Sequence, residues 1–309
     1  MSAMAPVRLG LVGAGRWGKI FIRTLAGASE VALVALASTN TASRELVSGE
    51  TRLFNDWRAM LDAGGLDGVI VATPPATHAE IAGAALSAGF PVLIEKPLTI
   101  NPAEATTLRR QADRSGLPVL VDHIHLFSPA FRRLKALAQD LGPIRAIHGI
   151  AGNRGPYRVD TPVLWDWGPH DVAMCLDLLN ALPDTANATR LERRPVEGGE
   201  AECLLLDLRF GAISADLVIG TTMDKVRRFE VECAGGILVY DDLADDKLTQ
   251  NGSPIEVDRA QPLDVALAEF AAAIRSRSTR PEDLAMAVSV VEILARCEAR
   301  LGTADLPEG

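Results

Sequence analysis

Gly13, Gly15 and Gly18 stand in the run Gly13-Ala14-Gly15-Arg16-Trp17-Gly18, a G-x-G-x-x-G array. Glycines at this spacing allow a tight turn, close approach of backbone to a pyrophosphate, and close packing of a helix on the strand before it. The array is informative only between a strand and a helix. Here the apolar run Val7–Val12 precedes it, and Trp17–Gly27 follows with Ile20, Phe21, Thr24 and Leu25 on one helical side. A helix start adds N–H groups and partial positive charge, which suit phosphate. The chemistry indicated is dinucleotide binding. The alternative is a glycine turn in an α/β protein that holds no nucleotide.

Ser38-Thr39-Asn40-Thr41 closes the next apolar run, with Arg44 shortly after. An acid there would hold a ribose 2′-hydroxyl and favour NAD, whereas an Arg would accept a 2′-phosphate. No acid is present, so the segment leans to NADP, unless Ser38 and Asn40 only make turn hydrogen bonds. Thr73-Pro74-Pro75-Ala76-Thr77-His78 ends one strand and begins a helix, and Glu95-Lys96-Pro97 ends the next. Ligands of open α/β sheets sit beyond the carboxyl ends of strands, so both segments are expected to line one crevice. Thr73, Pro74, Pro75, His78, Glu95 and Lys96 thus join the glycine loop and Ser38–Asn40 as candidate cofactor contacts. A strand-end lysine can donate a proton or polarise an oxygen. Otherwise Lys96 is a surface lysine paired with Glu95.

The elements that would position these residues alternate along the first 122 positions. Apolar runs at Val7–Val12, Val31–Ala37, Leu66–Ala72, Pro91–Ile94 and Pro118–Val121 are separated by helical stretches at Trp17–Gly27, Asp56–Ala63, Thr77–Ala88 and Pro102–Ser115. Continuous β-branched runs suit strands buried on both faces, and the alternation implies βαβ units in a parallel sheet. From about Thr189 to Val257 the period changes to two. Leu204, Leu206, Leu208 and Phe210 share one strand face, and Phe210-Gly211 and Gly235-Gly236 mark turns. This predicts an open antiparallel sheet packed on helices at Pro129–Gln139, Pro169–Leu179, Leu263–Ser276 and Pro281–Leu301. The expected organisation is an α/β Rossmann-like dinucleotide-binding domain over 1–122 and an α+β domain with a large open, mainly antiparallel sheet over 123–309.

Composition sets the outer limits. The chain has 309 residues, enough for about two domains. Hydrophobic residues are 48% and charged residues 23%, which supports packed cores and excludes a disordered chain. The net charge of −9 argues against a general nucleic-acid binder. Cys175, Cys203, Cys233 and Cys297 form no C-x-x-C pair and read as buried hydrophobes of a reducing compartment. Met1–Pro6 has no basic or long apolar region of a signal peptide, and no apolar run is long enough to span a membrane. The cytoplasm is therefore the expected location, and no metal site is expected.

The glycine loop, the Thr-Pro-Pro-x-Thr-His turn and Glu-Lys-Pro resemble the Gfo/Idh/MocA oxidoreductase family. Asp166-Trp167-Gly168-Pro169-His170 and the helix from Pro262-Leu263 to Ile274 extend the resemblance over nearly the whole chain. The resemblance implies a Rossmann domain, then a domain whose open sheet pairs subunits into a homodimer or homotetramer. It implies hydride exchange between NAD or NADP and a carbon bearing a hydroxyl on a sugar, cyclitol or similar polyol. A ketoreductase of nucleotide-linked sugars and a non-catalytic dinucleotide sensor are the alternatives. Under the resemblance Lys96 is the active-site lysine, His170 the acid–base group and Asp166 its companion. Histidine titrates near neutral pH, and lysine can stabilise charge on the same oxygen. Residues four apart share a helical face. Outside the family context, Asp166 is a helix N-cap and His170 a satisfied core histidine.

The family also implies a cis Lys96–Pro97 bond. His123 is placed near the nicotinamide and His125 as structural. Arg154, Tyr157 and Arg158 form a polar loop that binds substrate or is simply solvated. Trp167, beside Trp165, is a sugar platform or core. Two departures stand out. Some members carry an acid three residues after the histidine, where this chain has Ala173, with Asp171 directly following His170. Many carry Arg or Tyr in the segment that here reads Val121–Phe127.

Overall fold

The structure is a computed structural model that describes residues 5–158 and 161–301. Of the segment Met1–Pro6 read above, residues 1–4 lie outside the described residues. The chain divides into two compact units. One comprises the chain up to Ile124 with Gln261–Val288; the other comprises His125–Ala260 and the chain from Ser289 onward.

In the first unit, β1 (Val7–Val12), β2 (Val31–Ala37), β3 (Arg52–Phe54), β4 (Gly68–Val71), β5 (Val92–Glu95) and β6 (Val119–Asp122) form a parallel sheet. Its order is β3-β2-β1-β4-β5-β6. The order reverses between β1 and β4, which opens a crevice beyond their carboxyl ends. Leu9, Leu11, Val69, Ile70, Val71, Val92, Leu93 and Ile94 are buried, as continuous apolar strands of a two-sided sheet require. Helices α1 (Arg16–Gly27), α2 (Trp57–Asp62), α3 (His78–Ser87) and α4 (Pro102–Ser115) connect the strands. α4 shows why local signals suffice. The Asn101 side chain accepts the Ala103 N–H, Pro102 fills the first turn, and Gly116 closes the helix at φ 63°. β3 was not foreseen, because three residues are too few to show a period.

The first unit also takes in residues 261–288, which the sequence reading had assigned to 123–309. Helix α7 (Pro262–Ser276) buries Leu263, Ala266, Leu267, Phe270 and Ala271. Phe270 and Ile274 reach Gly68 at the start of β4. A linear boundary cannot anticipate a late helix that returns to an early sheet.

The second unit is built on β7 (Ile144–Gly152), β8 (Thr185–Val196), β9 (Gly199–Phe210), β10 (Ile213–Gly220), β11 (Val226–Cys233), β12 (Gly236–Asp241), β13 (Leu248–Gln250) and β14 (Ser253–Pro254). Their order is β14-β13-β12-β11-β7-β10-β9-β8. The period-two reading holds on β9, where Leu204, Leu206, Leu208 and Phe210 are buried. The expected large, mainly antiparallel sheet is present, with one parallel pair. β7 inserts between β11 and β10 and pairs with β10 in parallel. β7 carries Gly149 and Gly152 within its run, which weakened its signal.

Helices α5 (Pro129–Asp140) and α6 (Val163–Leu179) belong to this unit, and the division between units falls within α8 (Pro281–Leu301). α6 begins six residues before the expected Pro169, which lies inside the helix. Proline usually marks a helix start, so the sequence signal pointed one turn and a half too late. All four cysteines are buried, as expected of small hydrophobes. Among the described residues no helix is long and apolar enough to cross a membrane.

Candidate functional site

The glycine loop joins β1 to α1 at the switch point, and its three glycines differ in what surrounds them. Gly13 has φ +99°, and a Cβ there would collide with the Ala72 carbonyl. A Cβ on Gly18 would collide with the Gly13 carbonyl, so helix and loop backbones are packed directly together. A Cβ on Gly15 meets nothing within 4 Å. Gly15 is the exposed N-cap of α1, no side chain caps it, and the first turn carries no acid. The N-terminal N–H groups and the positive end of the helix therefore face open space. Two glycines are needed for the fold and the third keeps a cradle clear, which fits a pyrophosphate. Arg16 is exposed and Trp17 partly so, whereas Ala14 is buried.

Beyond β2, Ser38, Asn40, Thr41, Ser43 and Arg44 line a cleft of ≈ 290 Å³ with Leu36, Leu53, Phe54 and Asn55. Ser38 Oγ accepts from the Asn40 N–H at 3.2 Å and from Ser43 Oγ at 2.8 Å, and Asn40 Oδ1 accepts from the Ala42 N–H at 3.0 Å. The turn hydrogen bonds weighed as the alternative are thus present, and the same residues still line the cleft. No carboxylate lines it. Arg44 is exposed.

The ends of β4, β5 and β6 bring together a buried polar group. Glu95 pairs in register with Asp122, and Lys96 and His123 are the next residues. Lys96 is 7% exposed, which removes the surface-lysine alternative. The Lys96–Pro97 bond is cis, as the resemblance implied. His78 is buried, with Nδ1 2.8 Å from the Pro97 carbonyl and Nε2 2.8 Å from the Thr73 carbonyl. Both ring nitrogens are engaged by backbone. The expectation that His78 contacts cofactor is corrected accordingly: the ring ties the Thr73 loop to the Pro97 loop and shapes them. Thr77 Oγ1 donates to the Pro74 carbonyl at 2.8 Å and tightens the same turn.

Asp122 and His123 are 1% and 2% exposed, and none of their polar side-chain atoms has a hydrogen-bond partner. Burial pushes the Asp122 carboxyl well above its ordinary range, against the pull of the Lys96 charge. Burial, reinforced by Lys96, pushes His123 down to about 3, so its imidazole is neutral at pH 7. Burial likewise lowers His78, opposed by its two carbonyl bonds. Buried polar atoms left unpaired are costly and mark places where a ligand can supply the missing bonds. Asp122 was missed in the sequence, where its signal was a single acid closing the apolar run Val119–Val121.

In the second unit, α6 presents Asp166 and His170, each partly exposed, while Trp165, Trp167, Gly168 and Pro169 are buried. The four-residue spacing therefore does place both on one helical face. Asp166 lies in the first turn, after the N-cap Pro162, so it is not the capping residue. Its Oδ1 accepts from Arg158 at 3.3 Å. The neighbouring candidates separate. Arg154 is committed to Asp224 at 2.8 Å on an exposed surface, which favours the solvated-loop reading for that side chain. Tyr157 lies against Gly155 and Gly199. Trp167 does not present a clear platform for a sugar, because the Arg227 guanidinium lies 3.9 Å over its ring. Trp165 is core, and its Nε1 donates to Glu298 at 2.8 Å.

Behind His170 a narrow cavity of ≈ 10 Å³ is lined by His125, Asp171, Arg227, Phe229 and Tyr240. Asp171, Arg227 and Tyr240 were missed. Asp171 sat beside a recognised motif, but Arg227 and Tyr240 arrive from strands that carry no motif. Asp171 is fully enclosed, and burial raises it to about 7, against the pull of Arg227. An acid raised in the folded state stabilises the fold below its unfolded pKa and loses that contribution as pH rises through about 7. Asp171→Asn is therefore expected to flatten the fall in stability between about pH 4 and about pH 7, a difference of a few kcal/mol at most. Parallel thermal melts of both proteins check it; superimposable slopes refute the buried-acid assignment.

An enclosed parallel sheet with a cleared glycine cradle, followed by an open mixed sheet, defines a two-unit dinucleotide-binding protein. The family described as "Oxidoreductase family, NAD-binding Rossmann fold" matches residues 7–123. The rhizopine catabolism protein MocA of Rhizobium meliloti is 36% identical over 48% of this chain and 45% of its own length. Inositol 2-dehydrogenase 2 of Saccharopolyspora erythraea is 30% identical over 66% of this chain and 62% of its own. The chain thus spans less than two thirds of these curated relatives. A solved structure from Magnetospirillum magnetotacticum MS-1, provisionally assigned as an oxidoreductase, is 44% identical with a TM-score of 0.90. It covers 94% of this chain and 99% of that one. The chain belongs to the Gfo/Idh/MocA oxidoreductase family.

Proposed function

We propose that the protein is an NAD(P)-dependent dehydrogenase that moves hydride between nicotinamide and a hydroxyl-bearing carbon of a sugar, cyclitol or similar polyol. The observation that carries the reading is the cleared backbone at Gly15, at the start of α1. Buried Lys96 at the end of β5, next to the Pro97 whose carbonyl His78 holds, supports a reacting end of the cofactor beyond β5. The polyol class rests on the similarity to the inositol 2-dehydrogenase named above.

A bound nicotinamide would accept or return hydride at its C4. The chain's own residues do the rest. His170 removes the hydroxyl proton in the oxidative direction and returns it in the reductive one. The Lys96 ammonium donates a hydrogen bond to the same oxygen and stabilises charge that develops there. Asp166, one helical turn before His170, holds Arg158 and keeps a negative group on the reacting face. Asp122 and His123 offer one acidic and one neutral imidazole group to the nicotinamide end. Absorbance at the nicotinamide band, with a panel of polyols and keto-sugars, tests the reading. Cofactor binding with no turnover on any of them would make the protein a dinucleotide sensor.

The cleft beyond β2 supports NADP as the preferred cofactor. It holds Arg44 and five hydroxyl or amide side chains and no carboxylate. Ser38→Asp is expected to weaken NADP binding at least tenfold more than NAD binding, the cost of about 1.4 kcal/mol from a repelled 2′-phosphate. Fluorescence titration with both reduced cofactors measures it, and equal losses would refute the preference. The reading includes a homodimer or homotetramer, which light scattering checks.

A further inference from the structure

Tyr240 and His125 stand behind His170 and are used by none of the chemistry above. Both are buried. His125 Nδ1 lies 3.0 Å from the Tyr240 hydroxyl. The His125 and His170 rings meet edge to face at 5.1 Å between centroids and 78° between planes. The His125 and Tyr240 rings meet the same way at 5.7 Å.

The bond between Tyr240 and His125 couples the phenol to the tautomer of the imidazole. A phenol hydroxyl can donate or accept, and an imidazole nitrogen donates in one tautomer and accepts in the other, so the bond favours one of the two. Burial keeps the phenol protonated by pushing its pKa up, so the hydroxyl remains able to hold the ring.

Resting on the reading of His170 as the acid–base group, we propose that Tyr240 and His125 are its positioning residues. The phenol holds His125 in a single tautomer, and the fixed edge of that ring sets the orientation of the His170 imidazole. The other charged groups on this cavity are Asp171 from α6 and Arg227 and Arg228 from β11. Asp166 lies one turn before His170. All of them remain when only the phenol hydroxyl is deleted.

The test is Tyr240→Phe, which keeps the ring and removes the hydroxyl. The chain has five histidines, so their imidazole signals can be assigned by single substitution in full-length protein. Ring carbon and nitrogen shifts should report a single tautomer of His125 in the wild type and a mixture of the two in Tyr240→Phe. The same variant should lose about tenfold in kcat on the best polyol, with KM within about twofold, part of the assistance an oriented base supplies. His125→Asn keeps a hydrogen-bonding group for Tyr240 but removes the ring edge, and should lose kcat similarly. The proposal is overturned if the wild-type ring populates both tautomers, if the tautomer is unchanged in Tyr240→Phe, or if both variants keep wild-type kcat. A wild type that turns over no polyol defeats the functional reading alone, because the tautomer measurement still decides whether Tyr240 governs His125.

Discussion

Gly15→Val is expected to fold like the wild type and to lose cofactor affinity by about 100-fold or more, which corresponds to about 2.7 kcal/mol. The reasoning is geometric. Gly15 has φ −70° and ψ −159°, a conformation open to any residue, so valine brings no backbone strain. Its Cβ meets no protein atom within 4 Å, so the added carbon stands in open space. The added methyl groups occupy the space into which a pyrophosphate must come to reach the N–H groups of α1. Gly18→Ala is the opposite case. There the added carbon strikes the Gly13 carbonyl inside the protein, and the expected result is a loss of stability of about 1–3 kcal/mol. Thermal melts and fluorescence titration with reduced cofactor separate the two. Unchanged affinity in Gly15→Val would remove the cradle, and with it the observation on which the proposed function rests.

Lys96→Met and His170→Ala are each expected to lower turnover by ~10²–10⁴ while leaving cofactor affinity nearly intact. Methionine fills the volume of the buried lysine stem, so the loss reports the ammonium rather than a cavity. In Lys96→Met the Asp122 carboxyl also loses the charge that pulls its pKa down, which drives it further toward the neutral acid. His170 is partly exposed on α6, so alanine there is tolerated by the fold. Single-turnover measurements at saturating cofactor isolate the hydride step. Wild-type turnover in both variants would show that neither residue has the proposed role.

Much of the site's local chemistry could be read directly from the chain. The glycine loop, the Thr73 turn and the Lys96 strand end are short segments whose functions depend on neighbours in sequence. Backbone conformation at such junctions is set by glycine and proline, so the motif and its geometry travel together. The same locality explains the agreement over α4 and most strands of the first sheet. It also explains the misplacement of α6, where the proline rule pointed to a start and the helix was already under way.

What the amino-acid sequence determined by itself was the alternation of strands and helices in the front half, the nucleotide cradle, and the shared helical face of Asp166 and His170. Each depends on spacings of one to five residues. Tertiary structure alone decided that Lys96 is buried, that His78 braces two loops, that a guanidinium covers Trp167, and that Tyr240 reaches His125. These outcomes depend on side chains brought together from strands and helices far apart in the chain. Burial and its electrostatic consequences arise from that packing, because desolvation is a property of everything surrounding a group and not of the group's neighbours in sequence.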